Sequence, residues 1–273
     1  MRPIKLFQTG LFLVAGMVLF TSCRRDREDS NFAVASDNAQ AESYFNELKN
    51  IADEAYSGTM VLYRSAADTL VYGCATVIRD TTASPKTITV DFGTTNCTCN
   101  DGKNRRGKVI TTYTGMYRDS GTVITHTTSN YFVNDNQVIG TKTVTNGGHN
   151  TAGNLFYNIN VSGSVVKANG GGTVTWNSTR VREWIAGAST LIWSDDIYLI
   201  SGSANGTASN GETFTANITT PLRKEIGCYH FVSGVIEVNP ANHAQRIIDF
   251  GNGTCDNTAT LTINGNTYTI NLY

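Results

Sequence analysis

The chain has 273 residues, a formal net charge of −1 and only 16% charged residues. That balance excludes a polycation built to hold nucleic acid through its phosphates, and the length suffices for one large or two small cores. Six cysteines in a chain rich in Thr, Ser, Asn and Gly suit an exported β protein.

Residues 1–22 read as a lipoprotein signal peptide. Arg2 and Lys5 give a short positive region, and Leu11 to Phe20 is an apolar run too short to span a bilayer. Phe20-Thr21-Ser22-Cys23 then resembles the bacterial lipobox, with Phe20 where Leu is usual. Small residues before the cysteine allow a diacylglyceryl group on the Cys23 thiol and cleavage at its amine. Acyl chains such as palmitate then hold the chain on a membrane, at about 0.8 kcal/mol per buried CH₂. Residues 23–36, including the mixed-charge run Arg24 to Ser30, read as a flexible tether.

Residues 37–273 read as one β-rich domain with an N-terminal helix. Ser36 or Asp37 can cap an amphipathic helix over about 39–56. Tyr44, Phe45, Leu48, Ile51, Ala52, Ala55 and Tyr56 recur there at three- and four-residue steps, and Gly58 can end the run. From about residue 70 the apolar period is two, as in Ile88, Val90 and Phe92, or Val174, Trp176 and Ser178. Asn- and Gly-rich clusters such as Asn134-Asp135-Asn136 and Asn264-Gly265-Asn266 punctuate these runs and accept the positive φ of tight hairpins. Together they predict a mainly β fold: a long antiparallel meander of roughly 11–15 strands, as a curved sheet or a sandwich. Trp184 to Asp196 is the longest irregular connection.

Two segments repeat. Gly73-Cys74 leads to Asp91-Phe92-Gly93 and Cys97; Gly227-Cys228 leads to Asp249-Phe250-Gly251 and Cys255. The simplest reading is two local disulfides, Cys74–Cys97 and Cys228–Cys255, with Cys99 left over. Crossed pairing and reduced cysteines remain open on sequence grounds. The single residue inside Cys97-Thr98-Cys99 and the absence of a following His motif argue against zinc, and no metal or other cofactor is expected. Asp-Phe-Gly, a kinase signature elsewhere, has no accompanying phosphate loop here and reads as a turn.

No serine-hydrolase elbow and no metal-spaced histidine pair occur. Glu183, Trp184, Trp193, Asp195 and Asp196 are the best candidate ligand loop. Two acids beside tryptophans can serve a carbohydrate-active enzyme or a glycan-binding protein. Basic residues at Lys103, Arg105, Arg106 and Lys108 read as a solvated turn and strand start. A membrane barrel is disfavoured, because Leu272, Ile270 and Tyr268 are out of phase with Tyr273 and the other face is Thr-rich.

Several segments resemble uncharacterised lipoproteins of the Bacteroidota. They are Thr87 to Gly93 through Cys97, Arg106 to Ile110, Tyr117 to Thr125, Thr179 to Trp184, and Asp249 to Cys255. The resemblance covers most of the chain beyond residue 70. It implies an outer-membrane anchor, on the periplasmic or the surface face, and brings no catalytic residue. The expectation is therefore a non-enzymatic, lipid-anchored envelope domain. Its partners would be the membrane, through Cys23, and a glycan or an envelope protein.

Overall fold

A computed structural model describes residues 32–57, 75–190, 192–228 and 230–272. The signal segment, Cys23 and Cys74 lie outside the described residues.

One helix, α1 (Ala33–Ser57), precedes fourteen strands. These are β1 (Thr76–Asp80), β2 (Lys86–Asp91), β3 (Cys97–Thr98), β4 (Asn104–Tyr113) and β5 (Val123–Val133), then β6 (Asn136–His149), β7 (Leu155–Val166), β8 (Thr173–Ala186), β9 (Ile197–Thr207) and β10 (Thr213–Glu225), and finally β11 (Ser233–Pro240), β12 (Arg246–Asn252), β13 (Thr258–Ile263) and β14 (Asn266–Asn271). All belong to one antiparallel sheet in chain order, except that the two-residue β3 pairs beside β2 on β4. The meander is thus a single sheet rather than a sandwich. It is open, with β1 at one edge and β14 at the other.

The sheet curls around the helix. α1 touches β2, every strand from β4 to β8, and β11. Those strands span roughly 40 Å at the usual strand spacing, far wider than a helix, so a flat sheet could not reach them all. Phe45, Leu48 and Ile51 of α1 are fully buried against the inner face. Phe45 stacks on Trp176 of β8 with ring centroids 5.8 Å apart. Gly140 and Gly163 face each other across β6 and β7 at this point. A Cβ on Gly163 would lie 2.3 Å from the Phe45 ring, so the sheet is hollowed by glycine where the ring presses in.

α1 begins earlier than the capping residues suggest. Val34 and Ala35 are buried and extend the apolar stripe by a turn, which places Asp37 inside the helix. The Asp37 carboxylate is drawn to the sheet instead of a helix end. It accepts from Lys167 Nζ at 2.6 Å and from the Ser209 amide and hydroxyl at 2.7 and 2.6 Å.

The sequence repeat is a repeated hairpin, β1–β2 and β11–β12. In each, the Asp of Asp-Phe-Gly accepts from the Gly amide two residues on, Asp91 from Gly93 and Asp249 from Gly251, both at 2.9 Å. The motif is an Asx turn at a strand end. Cys228 and Cys255 form a disulfide with Cα atoms 5.7 Å apart, joining the two ends of the second hairpin. Cys97 is disulfide-bonded as well, and its expected partner Cys74 falls outside the described residues. Cys99 is a buried free thiol.

Candidate functional site

Alternation along β8 separates the residues of the candidate loop. Trp184 is buried on the inner face, its ring 5.3 Å from that of Tyr198. Glu183 sits on the other face and accepts from the side-chain amides of Asn150 and Asn154 at 2.7 and 2.8 Å. Those two hydrogen bonds hold its carboxyl below the usual range. Trp193 opens a short 3₁₀ turn, Trp193–Asp195, and its side chain is outside the described residues. Asp195 accepts from the Thr190 hydroxyl at 3.0 Å. Asp196 is buried and accepts from Tyr198 at 3.2 Å. Burial raises its pKa, against the Tyr198 hydrogen bond and with Asp195 adding to the rise. Asp195 and Asp196 lie together against Gly187, whereas Glu183 braces the β6–β7 turn from the opposite face. The structure does not bring Glu183 and Asp196 into one cleft.

The inner face holds polar and charged groups as well as the apolar core. Arg105 is fully buried, not part of a solvated turn. Its Nε donates to Glu47 of α1 at 2.8 Å, and its two terminal nitrogens donate to Asp101 at 2.8 and 2.6 Å. Lys103 and Tyr131 complete the set around Glu47, at 2.8 and 3.1 Å. Burial would lower the Arg105 pKa, but Asp101 and Glu47 hold it above its ordinary value. Arg180 faces Glu42 at 3.5 Å, and Lys142 donates to the Phe45 carbonyl and Asn46 Oδ1 at 3.1 and 3.0 Å. Towards the helix C-terminus, the Arg182 guanidinium lies 5.2–5.8 Å from the rings of Tyr117, Tyr157 and Tyr198 and donates to the Tyr117 hydroxyl. His126 is buried, with Nδ1 2.9 Å from the Thr111 hydroxyl. Burial, then nearby Lys142, Lys49 and Arg182, depress its pKa well below normal, so it is neutral. The signal for these residues was their phase: Arg180 continues the inward series Val174, Trp176, Ser178, and Lys142 continues Val138. Arg105 and Lys142 are hydrogen-bonded by groups of the chain itself, whereas Arg180 meets only the Glu42 carboxylate at 3.5 Å and its guanidinium nitrogens, like Arg182 Nε, are buried without a hydrogen-bond partner.

The outer face is of another character. One row across it runs Thr112, Thr125, Thr143, Asn160, Thr179, Ser203, Asn217, each opposite the next on successive strands from β4 to β10. A second runs Thr127, Thr141, Ser162, Asn177, Asn205, Thr215, Asn239 from β5 to β11. Beyond these spans the first row meets Glu237 on β11 and the second meets Ile110 on β4, but within them neither row contains a charge. Every position offers a donor and an acceptor, because hydroxyls and carboxamides carry both. At the middle, Asn160, Asn177, Thr179, Ser203 and Asn205 rim a shallow hollow of about 150 Å³. That is below the roughly 300 Å³ of pockets that enclose a small molecule, and suits surface contact with part of a larger ligand.

No protein family, curated protein or solved structure matches this chain. Among the described residues there is no cluster of three metal-ligating side chains, and no helix is long and apolar enough to cross a membrane.

Proposed function

We propose that this protein is a lipid-anchored, non-enzymatic domain of the bacterial outer membrane. It contacts a neutral, hydroxyl-rich envelope polymer through the outer face of its sheet. The carrying observation is the pair of uncharged Thr/Ser/Asn rows on a sheet whose inner face is filled by α1. Sugar hydroxyls are mixed donors and acceptors, and a surface of the same kind meets them without burying an unpaired charge. The lipobox at Cys23 and the resemblance to Bacteroidota lipoproteins supply the anchor and the compartment. The separation of Glu183 from Asp196 weighs against a paired-carboxylate hydrolase in the Trp184–Asp196 region.

Affinity electrophoresis in gels containing neutral or anionic polysaccharides tests this reading. Retention is expected on a neutral glycan, with no release of reducing sugar. The triple change Asn177→Ala, Thr179→Ala and Asn205→Ala should weaken it at least about tenfold, or roughly 1.4 kcal/mol. These side chains are exposed, so the fold should survive. Retention on no neutral glycan, retention untouched by the triple change, or glycan cleavage would each refute the proposal.

A further inference from the structure

The two edges of the open sheet are unlike. β1 carries Arg79 and Asp80, and Arg79 reaches back to donate to the Ala55 carbonyl of α1. β14 carries no charge, and neither does its hairpin partner: residues 258–272 contain no Asp, Glu, Lys, Arg or Pro. The β13–β14 register runs without a bulge from Thr258 opposite Asn271 to Ile263 opposite Asn266. Charges, prolines and bulges are the usual means by which an edge strand is kept from pairing with another chain. β14 has none of them.

The parity of β14 shows which of its backbone groups are free. The hairpin turns at Asn264 and Gly265, both at positive φ, and closes on the Ile263–Asn266 pair. At its far end the Leu272 amide donates to the Asn257 carbonyl at 2.7 Å. In an antiparallel pair the backbone groups of alternate residues point to the same side. Those of Tyr268, Ile270 and Leu272 therefore serve β13, and those of Thr267, Thr269 and Asn271 point away from the sheet. Among the described residues no strand lies along them. Phe32, just before α1, sets its ring edge-on to Tyr268 at 6.0 Å and steadies the strand.

We propose that β14 pairs antiparallel with β14 of a second copy of this chain, about a two-fold axis at Thr269. An isologous contact must be self-complementary, and this one is. Thr269 meets its own equivalent, and Thr267 meets Asn271 of the second copy, forming about six backbone hydrogen bonds. On the exposed face only Thr and Asn meet, with no like charges opposed. On the inner face Tyr268 comes beside Ile270 of the second copy, so the half-buried apolar row at the edge of the core is covered from both sides. The two outer faces then join into one continuous polar surface. The proposal concerns assembly and goes beyond the ligand reading above.

The test uses the full chain, lipid included, in membranes and in detergent. With Thr269→Cys, a short bifunctional maleimide should join two copies efficiently, since paired Cα atoms at the axis lie about 5.5 Å apart. Asn266→Cys, on the same exposed edge but far from its own equivalent, should not cross-link. Sedimentation of the unmodified chain in detergent should give a dimer. Thr269→Pro should abolish it without lowering the melting temperature, because the lost N–H points outward. Thr269→Lys, which sets two cations at the axis, should abolish it too and guards against misfolding of the proline variant. Equal cross-linking at both cysteines, a cross-link to a different protein, no cross-link, or a dimer indifferent to both substitutions would overturn the proposal.

Discussion

At the scale of single residues, the inner face buries several cations, and one of them, Arg105, is paired with acids from α1 and the β3–β4 turn. Arg105 shows what such a charge demands. It is fully buried and anchored on Glu47 and Asp101. Removing one partner of a buried pair leaves the other uncompensated, at about 3–5 kcal/mol. Glu47→Ala should therefore lower stability by about that much in denaturant titration. Arg223→Ala, which breaks the half-exposed pair with Glu225, should cost no more than about 1 kcal/mol. Similar losses for the two variants would show that Glu47 does not anchor the helix. Lys142 gives a pH signature. Burial, with Arg182 and Lys49 nearby, lowers its pKa to about 7, against the pull of Glu42 and Asp53. A lysine whose pKa falls on folding binds fewer protons folded than unfolded between that value and its ordinary 10.5. Its contribution to stability therefore rises as pH rises from about 7 towards 10 and is least favourable below 7. Lys142→Met should flatten the rise of stability over that window relative to the unaltered chain; an unchanged slope would mean Lys142 is not the group responsible.

At the scale of elements, the strands and the helix were legible because each has one wet and one dry face, and period two or 3.6 records it directly. The choice between one curved sheet and a sandwich was not legible, since both demand the same alternation. The charges inside were hidden for a related reason. Arg105 and Arg180 look solvated when residue type is read alone, and only their inward phase, together with acids on α1, marks them as buried. Asp37 resembles a cap in sequence, but its carboxylate answers Lys167 and Ser209 and the helix starts a turn earlier. Of the candidate loop, the sequence grouped Glu183 with Trp184, though neighbours on a strand face opposite ways. The repeated hairpin was legible through its cysteines. Removing the Cys228–Cys255 bridge by Cys228→Ser with Cys255→Ser frees a 27-residue separation in the unfolded chain. It should cost about 3 kcal/mol in denaturant midpoint analysis. A loss near zero would indicate that the hairpin is held by its strand pairing alone.

At the scale of the whole molecule, the proposed function joins an anchor at residue 23 to a sheet with a polar outer face. The described strands carry Thr, Ser and Asn outward, where a membrane barrel would need an apolar band. The sheet is open, so its edges are not sealed as a barrel requires. In the proposed function, membrane attachment is the task of Cys23. Metabolic labelling with an alkyne-bearing palmitate, followed by membrane fractionation, tests that assignment most directly. Label is expected on the unaltered chain in the outer-membrane fraction, with loss of both label and membrane association in Cys23→Ser. An unlabelled chain, or a Cys23→Ser chain that still carries label and still sediments with the membrane, would contradict it.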